Sequence, residues 1–211
     1  MDEWRDALFH FPHLYKNLDW LFLTKRPENV MSMVNPLWLE RGFPRNVWIG
    51  TSVENQAMAD KRIPLLLEIP AAVRFLSCEP LLGPVSLDDG EMSWLTCHGP
   101  IGEDEECCES FLARGEHYHG IDWVICGGES GAKARPMNPE WARSLRDRCA
   151  KVGVPFFYKQ AGEWTTEYPG LGRHGQTYQH GMTFYKVGKH RAGRLLDGRE
   201  WNEFPVTPGR E

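Results

Sequence analysis

Short apolar runs alternate with longer amphipathic stretches along most of this chain, and each run ends in polar residues. The runs are Asp19–Thr24, Val47–Gly50, Val73–Leu76, Ile121–Cys126 and Pro155–Tyr158. They lead into Lys25-Arg26-Pro27, Thr51-Ser52-Val53-Glu54-Asn55, Ser77-Cys78-Glu79-Pro80, Gly127-Gly128-Glu129-Ser130-Gly131 and Lys159-Gln160. Runs of four to six apolar residues fit strands buried on both faces, and the intervening lengths fit crossover helices. In a parallel sheet the carboxyl ends of the strands open on one side, so the polar clusters converge there.

The connecting segments carry their own signals. Trp4, Leu8, Phe11 and Tyr15 share one face of a helix over Asp2–Asn17, which Pro12 should end or kink. Pro27–Val34 and Leu37–Arg41 read as short helices, and Asn55–Glu68 as a longer one interrupted by Pro64. Asn138-Pro139-Glu140 starts a helix that should stop at Gly153, because Asn caps free amides, Pro fits the first turn and Glu opposes the helix dipole. From Gly162 onward no period is clean. Phe184–Val187 and Arg194–Asp197 read as an irregular hairpin, with Asp197-Gly198 as a turn.

The fold class that follows is α/β: an incomplete, TIM-like barrel of about five parallel strands, with an acidic insertion over 88–120 and an irregular C-terminal extension over 162–211. All of it forms a single domain. A closed barrel needs eight units and typically ~250 residues, whereas this chain has 211 and five visible runs. Truncation exposes the edge of Asp19–Thr24, which the first helix, the tail or a second copy must cover.

Composition narrows the class. With 41% hydrophobic and 25% charged residues, no apolar run long enough to span a bilayer and no signal-peptide layout at the N-terminus, a cytoplasmic globular protein with no membrane partner is expected. Adjacent Cys107 and Cys108, and Cys78 and Cys126 inside strands, favour reduced thiols over disulfides. Charge is uneven: nine acids face only Arg114 between Asp88 and Gly120, a segment charge of −8 in a chain of −5, leaving +3 elsewhere.

Several tracts together resemble a phage and prophage protein family of unknown function, related to the radical S-adenosylmethionine barrels. They are Leu23-Thr24-Lys25-Arg26-Pro27, Ser77 through Pro84, Val124 through Gly131 with Ala134-Arg135-Pro136-Met137, Phe156 through Gln160, and Gly193 through Gly198. The resemblance implies a cofactor-binding α/β barrel whose full-length members carry a C-x₃-C-x₂-C loop for an iron–sulfur cluster, three thiolates leaving one iron open. This chain has no such triplet, so no cofactor is expected of it alone.

The candidate site is the strand-end crevice: Lys25, Arg26, Glu54, Glu79, Gly127, Gly128, Glu129, Ser130 and Lys159. The glycines would let backbone amides approach a carboxylate, ribose or phosphate; the alternative is a tight turn needing positive φ. The charges would hold a charged ligand or do acid–base work, or else neutralise one another in a relic site. Cys97-His98, Cys107, Cys108, His117 and His119 supply enough donors for a tetrahedral zinc, and the lack of a C-x₂-C knuckle favours a decayed zinc loop over a working one. There is no G-x-S-x-G elbow, and neither Ser130 nor Cys78 has a local base. Lys186, Lys189, Arg191, Arg194 and Arg199 lie near Tyr185 and Trp201, which suits either nucleic acid or a solvated face.

Three functions remain open. The first is a non-catalytic phage- or prophage-encoded binding protein, in its concrete form an anti-CRISPR inhibitor of a host defence complex, whose Glu103, Asp104, Glu105 and Glu106 meet a basic protein surface. The second is the C-terminal piece of a split radical S-adenosylmethionine enzyme. The third is a small-molecule or nucleotide-binding protein. Homodimerisation is compatible with each.

Overall fold

A computed structural model describes residues 2–88, 93–95, 120–168, 170 and 175–206. In chain order the elements are α1 (Asp2–Leu14), β1 (Trp20–Thr24), a 3-10 turn (Pro27–Asn29), α2 (Val30–Met33), α3 (Pro36–Arg41), β2 (Val47–Ser52), α4 (Gln56–Leu67) and β3 (Val73–Cys78). Then come β4 (Trp123–Gly127), α5 (Pro139–Val152), β5 (Phe156–Gln160), β6 (Trp164–Thr165), β7 (Gly175–Gln179), β8 (Met182–Lys186) and α6 (Lys189–Ala192).

The five apolar runs form one parallel sheet in the order β1-β2-β3-β4-β5. Among the described residues it does not close into a barrel. Period-2 alternation sorts each strand between two faces. Ile49, Leu76, Cys78, Val124, Cys126, Phe156 and Tyr158 meet α4 and α5 through Ala59, Ile63, Leu66, Ala142, Leu145 and Cys149 in the main core. On the other face Trp48, Val73, Phe75 and Trp123 form a second cluster, with Ile125 and Phe157 against it. Trp48 and Trp123 meet edge to face with centroids 5.9 Å apart, the geometry their quadrupoles favour. No helix among the described residues is long and apolar enough to cross a membrane.

β2 and β3 run on through Thr51-Ser52 and Ser77-Cys78, which the apolar pattern alone leaves outside the strands. These positions are buried in the sheet, and Thr51 Oγ1 donates to the Thr24 carbonyl at 2.9 Å. α1 continues past Pro12 to Leu14, and α4 passes through Pro64 because Ala59, Ile63 and Leu66 anchor it on the sheet. α5 begins and ends where the sequence places it. Asn138 Oδ1 accepts the Glu140 amide at 2.9 Å, and Gly153 closes the helix at φ +75°.

The C-terminal expectation needs correction. The hairpin is β7–β8, turning at His180 (φ +51°) and Gly181 (φ +76°), and its partner strand is Gly175–Gln179, not Arg194–Asp197. Two consecutive positive-φ residues are what a tight hairpin turn needs, and His-Gly supplies them less conspicuously than Asn-Gly. Asp197-Gly198 is a turn, carrying only the Leu196–Arg199 bridge.

The two edges of the large sheet differ. Along β5 the chain's own tail lies antiparallel: the Tyr158 amide donates to Trp201 O at 2.9 Å, the Glu203 amide to Phe156 O at 3.3 Å, and Phe157 bridges to Asn202. Phe204 covers Trp123 and Phe157, both at 5.3 Å between centroids. At the other edge β1 pairs, among the described residues, with β2 alone, and Leu21 and Leu23 are 46% and 53% exposed. The tail therefore covers the far edge, and no described segment pairs along the outer side of β1.

Most of the acidic segment lies outside the described residues, including Glu103, Asp104, Glu105 and Glu106. Its roots are not purely solvated. Trp94 and Leu95 are buried, Leu95 bridges to Ile121, and Asp88 pairs with Arg148 at 2.6 Å.

Candidate functional site at the strand ends

Because the strands are parallel, Lys25, Glu54, Glu79, Glu129 and Lys159 all follow or close carboxyl ends. They come together as three separate clusters, not one ring.

The first cluster centres on Glu54, between β2 and α4. Its Oε1 accepts Lys25 Nζ at 2.6 Å, and its Oε2 accepts Arg62 Nη1 at 2.8 Å. Arg62 Nη1 also donates to Ser52 O at 2.8 Å. Asn55 starts α4 by accepting the Met58 amide at 3.1 Å, which places Arg62 two turns further on, above Glu54. Burial works to raise the Glu54 carboxyl, but the Lys25 hydrogen bond, a backbone amide and the charges of Arg62 and Lys25 outweigh it and hold the group below its ordinary range.

The second cluster joins β3 to β5. Glu79 Oε2 accepts Lys159 Nζ at 2.8 Å, and Oε1 accepts Gln160 Nε2 at 2.7 Å. Gln160 is 5% exposed; its Nε2 also donates to Gly128 O at 3.1 Å, while its Oε1 is buried without a partner. Two acceptors facing the nitrogen fix the amide's orientation, so the orphan atom is the oxygen.

Glu129 makes the third. Arg135 grips it through Nε and Nη2, with its backbone amide adding a third bond, all at 2.8 Å. That side-chain hydrogen bonding lowers the carboxyl to about 2 against the modest opposing effect of burial.

Gly127 and Gly128 are not at positive φ, but Gly131 is, at +104°, so the turn reading holds for the last glycine of the motif. Gly128 is required by close approach instead: a Cβ there would lie 2.1 Å from the Ala161 carbonyl oxygen, where the ends of β4 and β5 converge. Ser130 is exposed. Arg26 stands apart from the ion pairs and lines an apolar groove beside β1.

Cys78, Cys126 and Cys149 are free and buried, and burial pushes Cys78 up to about 12 and raises the other two. They are packing thiols, not nucleophiles. No metal-binding group of His, Cys, Asp or Glu occurs among the described residues. Cys97, His98, Cys107, Cys108, His117 and His119 lie outside them. Of the basic tail, Arg199 stacks on Trp201 at 3.5 Å and Arg194 lies over Phe157 at 5.5 Å, so intramolecular packing already engages both.

Arg62, Arg135 and Gln160 belong to the site although the pattern of the sequence does not single them out. Each answers a carboxylate at a strand end: a buried acid implies a cation nearby, and Arg62 and Arg135 follow Glu54 and Glu129 by short, loop-or-helix distances.

What the fold and the strand ends define is an α/β protein with an open parallel sheet, helices packed on one face and a self-paired charged rim. A family model described as "Protein of unknown function (DUF5131)" matches residues 1–205. The chain belongs to that family. No curated protein and no solved structure matches it.

Proposed function

We propose that this chain is a non-catalytic, phage- or prophage-encoded binding protein that acts in the cytoplasm by protein–protein contact. Its scaffold is a partial TIM-like barrel related to the radical S-adenosylmethionine enzymes; consecutive strand order with α4 and α5 on one face supports that relationship. The observation that carries the reading is that each strand-end acid is already matched: Glu54 by Lys25 and Arg62, Glu79 by Lys159, Glu129 by Arg135. Acid–base chemistry needs a group poised near the working pH, and the lowered Glu54 and Glu129 are the reverse. Recognition then falls to the −8 segment over 88–120, whose charge suits a basic protein groove such as that of a host defence complex, as an anti-CRISPR inhibitor would use it. Paired baits test this in lysates of prophage-bearing cells. Wild type should capture a basic protein that is released by salt and lost when Glu103, Asp104, Glu105 and Glu106 become Lys; capture that survives the reversal contradicts the reading.

One observation favours a second reading, a small-molecule or nucleotide site or the C-terminal piece of a split radical S-adenosylmethionine enzyme. Gln160 Oε1 is a buried acceptor without a partner beside Gly128 and Glu79, which suits a ligand N–H or O–H. Calorimetric titration with S-adenosylmethionine and with ATP, using wild type and Gln160→Leu, separates the two: heat of binding abolished by the substitution supports the second reading.

A further inference from the structure

We propose that two copies of this chain pair antiparallel through β1, with the two-fold axis at Phe22, to form one continuous sheet. The surface involved is distinct from the acidic segment and does not depend on the function proposed above. Three observations converge on it.

First, β1 is an edge whose outward backbone groups no described residue uses. The Trp20 amide donates to Asn46 O at 2.7 Å, and Trp20 registers with Val47, so in a parallel ladder Trp20, Phe22 and Thr24 turn their groups toward β2. The amides and carbonyls of Leu21 and Leu23 therefore face away from the sheet. Secondly, the surroundings are apolar. Leu21 and Leu23 are half-exposed on the face opposite the helices, and Trp4, Leu8, Phe11 and Tyr15, the one-sided stripe of α1, are 84%, 39%, 39% and 53% exposed. Leu8, Leu23 and Met33 line an open groove of about 500 Å³ between α1, β1 and α2. An exposed apolar strand edge of this kind is a pairing template, with no proline or lysine between Trp20 and Thr24 to blunt it.

Thirdly, the fold selects the occupant. A head-to-tail arrangement, β1 of one copy against β5 of the next, is blocked because the chain's own residues Trp201–Glu203 occupy the β5 edge. The isologous arrangement remains. Centred on Phe22, it sets Leu21 opposite Leu23 of the second copy as a hydrogen-bonded pair, both using the outward groups, with the leucine side chains packed together on one face. By symmetry the register makes that leucine pair twice, once on each side of Phe22. Apolar residues directly across a ladder stabilise it, and a charge set against one of them opposes it.

That pairing gives a test that is specific to the register. Sedimentation velocity of wild type at micromolar concentration should show a dimer. Leu21→Lys alone sets lysine against leucine at both cross-strand pairs, and Leu23→Glu alone sets glutamate against leucine at both, so each should dissociate with a Kd raised at least about tenfold. Mixed in equal amounts, the two variants form a heterodimer in which one pair is the two unaltered leucines and the other is lysine against glutamate, so no charge meets a leucine at either position. Both side chains are half-exposed, so neither substitution opens the core; association on mixing also reports that both variants are folded, and circular dichroism of each alone checks the same point. A monomeric wild type, single variants as dimeric as wild type, or folded variants that fail to associate when mixed would each overturn the proposal. A monomer would leave the β1 edge to a different chain. Lysine reversal at Glu103, Asp104, Glu105 and Glu106 should leave the dimer intact, so failure of the two proposals is separable.

Discussion

Glu129 owes its position to Arg135, and that dependence is measurable as pH-dependent stability. Its carboxyl titrates near 2 in the folded chain against an ordinary value of 4.5, so unfolded chains bind the proton more tightly. The stabilisation is complete above about pH 4.5 and is lost as pH falls towards 2. Urea unfolding across that window should show a steeper loss for wild type than for Glu129→Gln, which has no proton to gain; parallel profiles would mean that the pair is not formed in solution. The two cations on Glu54 should differ. Arg62 is 12% exposed at its side chain and Lys25 is 63% exposed, so losing Arg62 strands a largely buried carboxylate while losing Lys25 removes a solvated contact. Arg62→Ala should cost about 2–4 kcal/mol and Lys25→Ala about 0–1 kcal/mol, read from urea midpoints. Gly128→Ala should cost about 2–3 kcal/mol, because the clash is with the fixed backbone of Ala161 and not with a side chain that can turn away.

At the scale of elements, α1 is held chiefly by what lies at its end. Asn46 is 8% exposed, and its Nδ2 donates to Pro12 O, Tyr15 O and Leu18 O at 3.1, 3.3 and 2.9 Å, tying the end of the helix and the approach to β1 to the start of β2. Phe9 adds an edge-on contact with Trp38 at 5.0 Å. Asn46→Ala should speed hydrogen exchange in α1 markedly while leaving β3 and β4 protected; uniform change across the sheet would show that α1 belongs to the same cooperative unit. The five strands, the Asn138 cap and the Gly153 stop are legible in the sequence because each is written locally, in apolar runs or in a capping residue. The clasp made by Asn46 is not, since nothing in Arg45-Asn46-Val47 says that three carbonyls from the preceding segment will converge there. The same holds for the tail on β5 and for Gln160 beneath Glu79: both are pairings across long stretches of chain, with no periodic signal. The hairpin escapes the sequence pattern because Gly175–Gln179 is mostly polar and solvent-facing, which removes the alternation by which a strand is recognised.

For the molecule as a whole, a sheet covered at one edge by its own tail and, among the described residues, uncovered at the other is suited to association, and the charged rim is suited to holding that arrangement. The cysteine spacing lacks the C-x₃-C-x₂-C triplet of the cluster-binding loop. Anaerobic treatment with iron and sulfide should therefore leave the protein colourless, and visible absorption lost on replacing Cys107 and Cys108 would contradict this. The proposed function rests on protein contact and not on chemistry or ligand binding at the strand ends. Quantitative mass spectrometry of proteins captured by wild type and by a Glu79→Gln, Lys159→Met double variant tests it most directly, since the variant dismantles the central strand-end pair while leaving the rest of the surface intact. Protein contact away from the crevice should give the same captured proteins in the same amounts for both baits; a partner retained by wild type and lost with the double variant would place the function in the crevice and contradict the proposal.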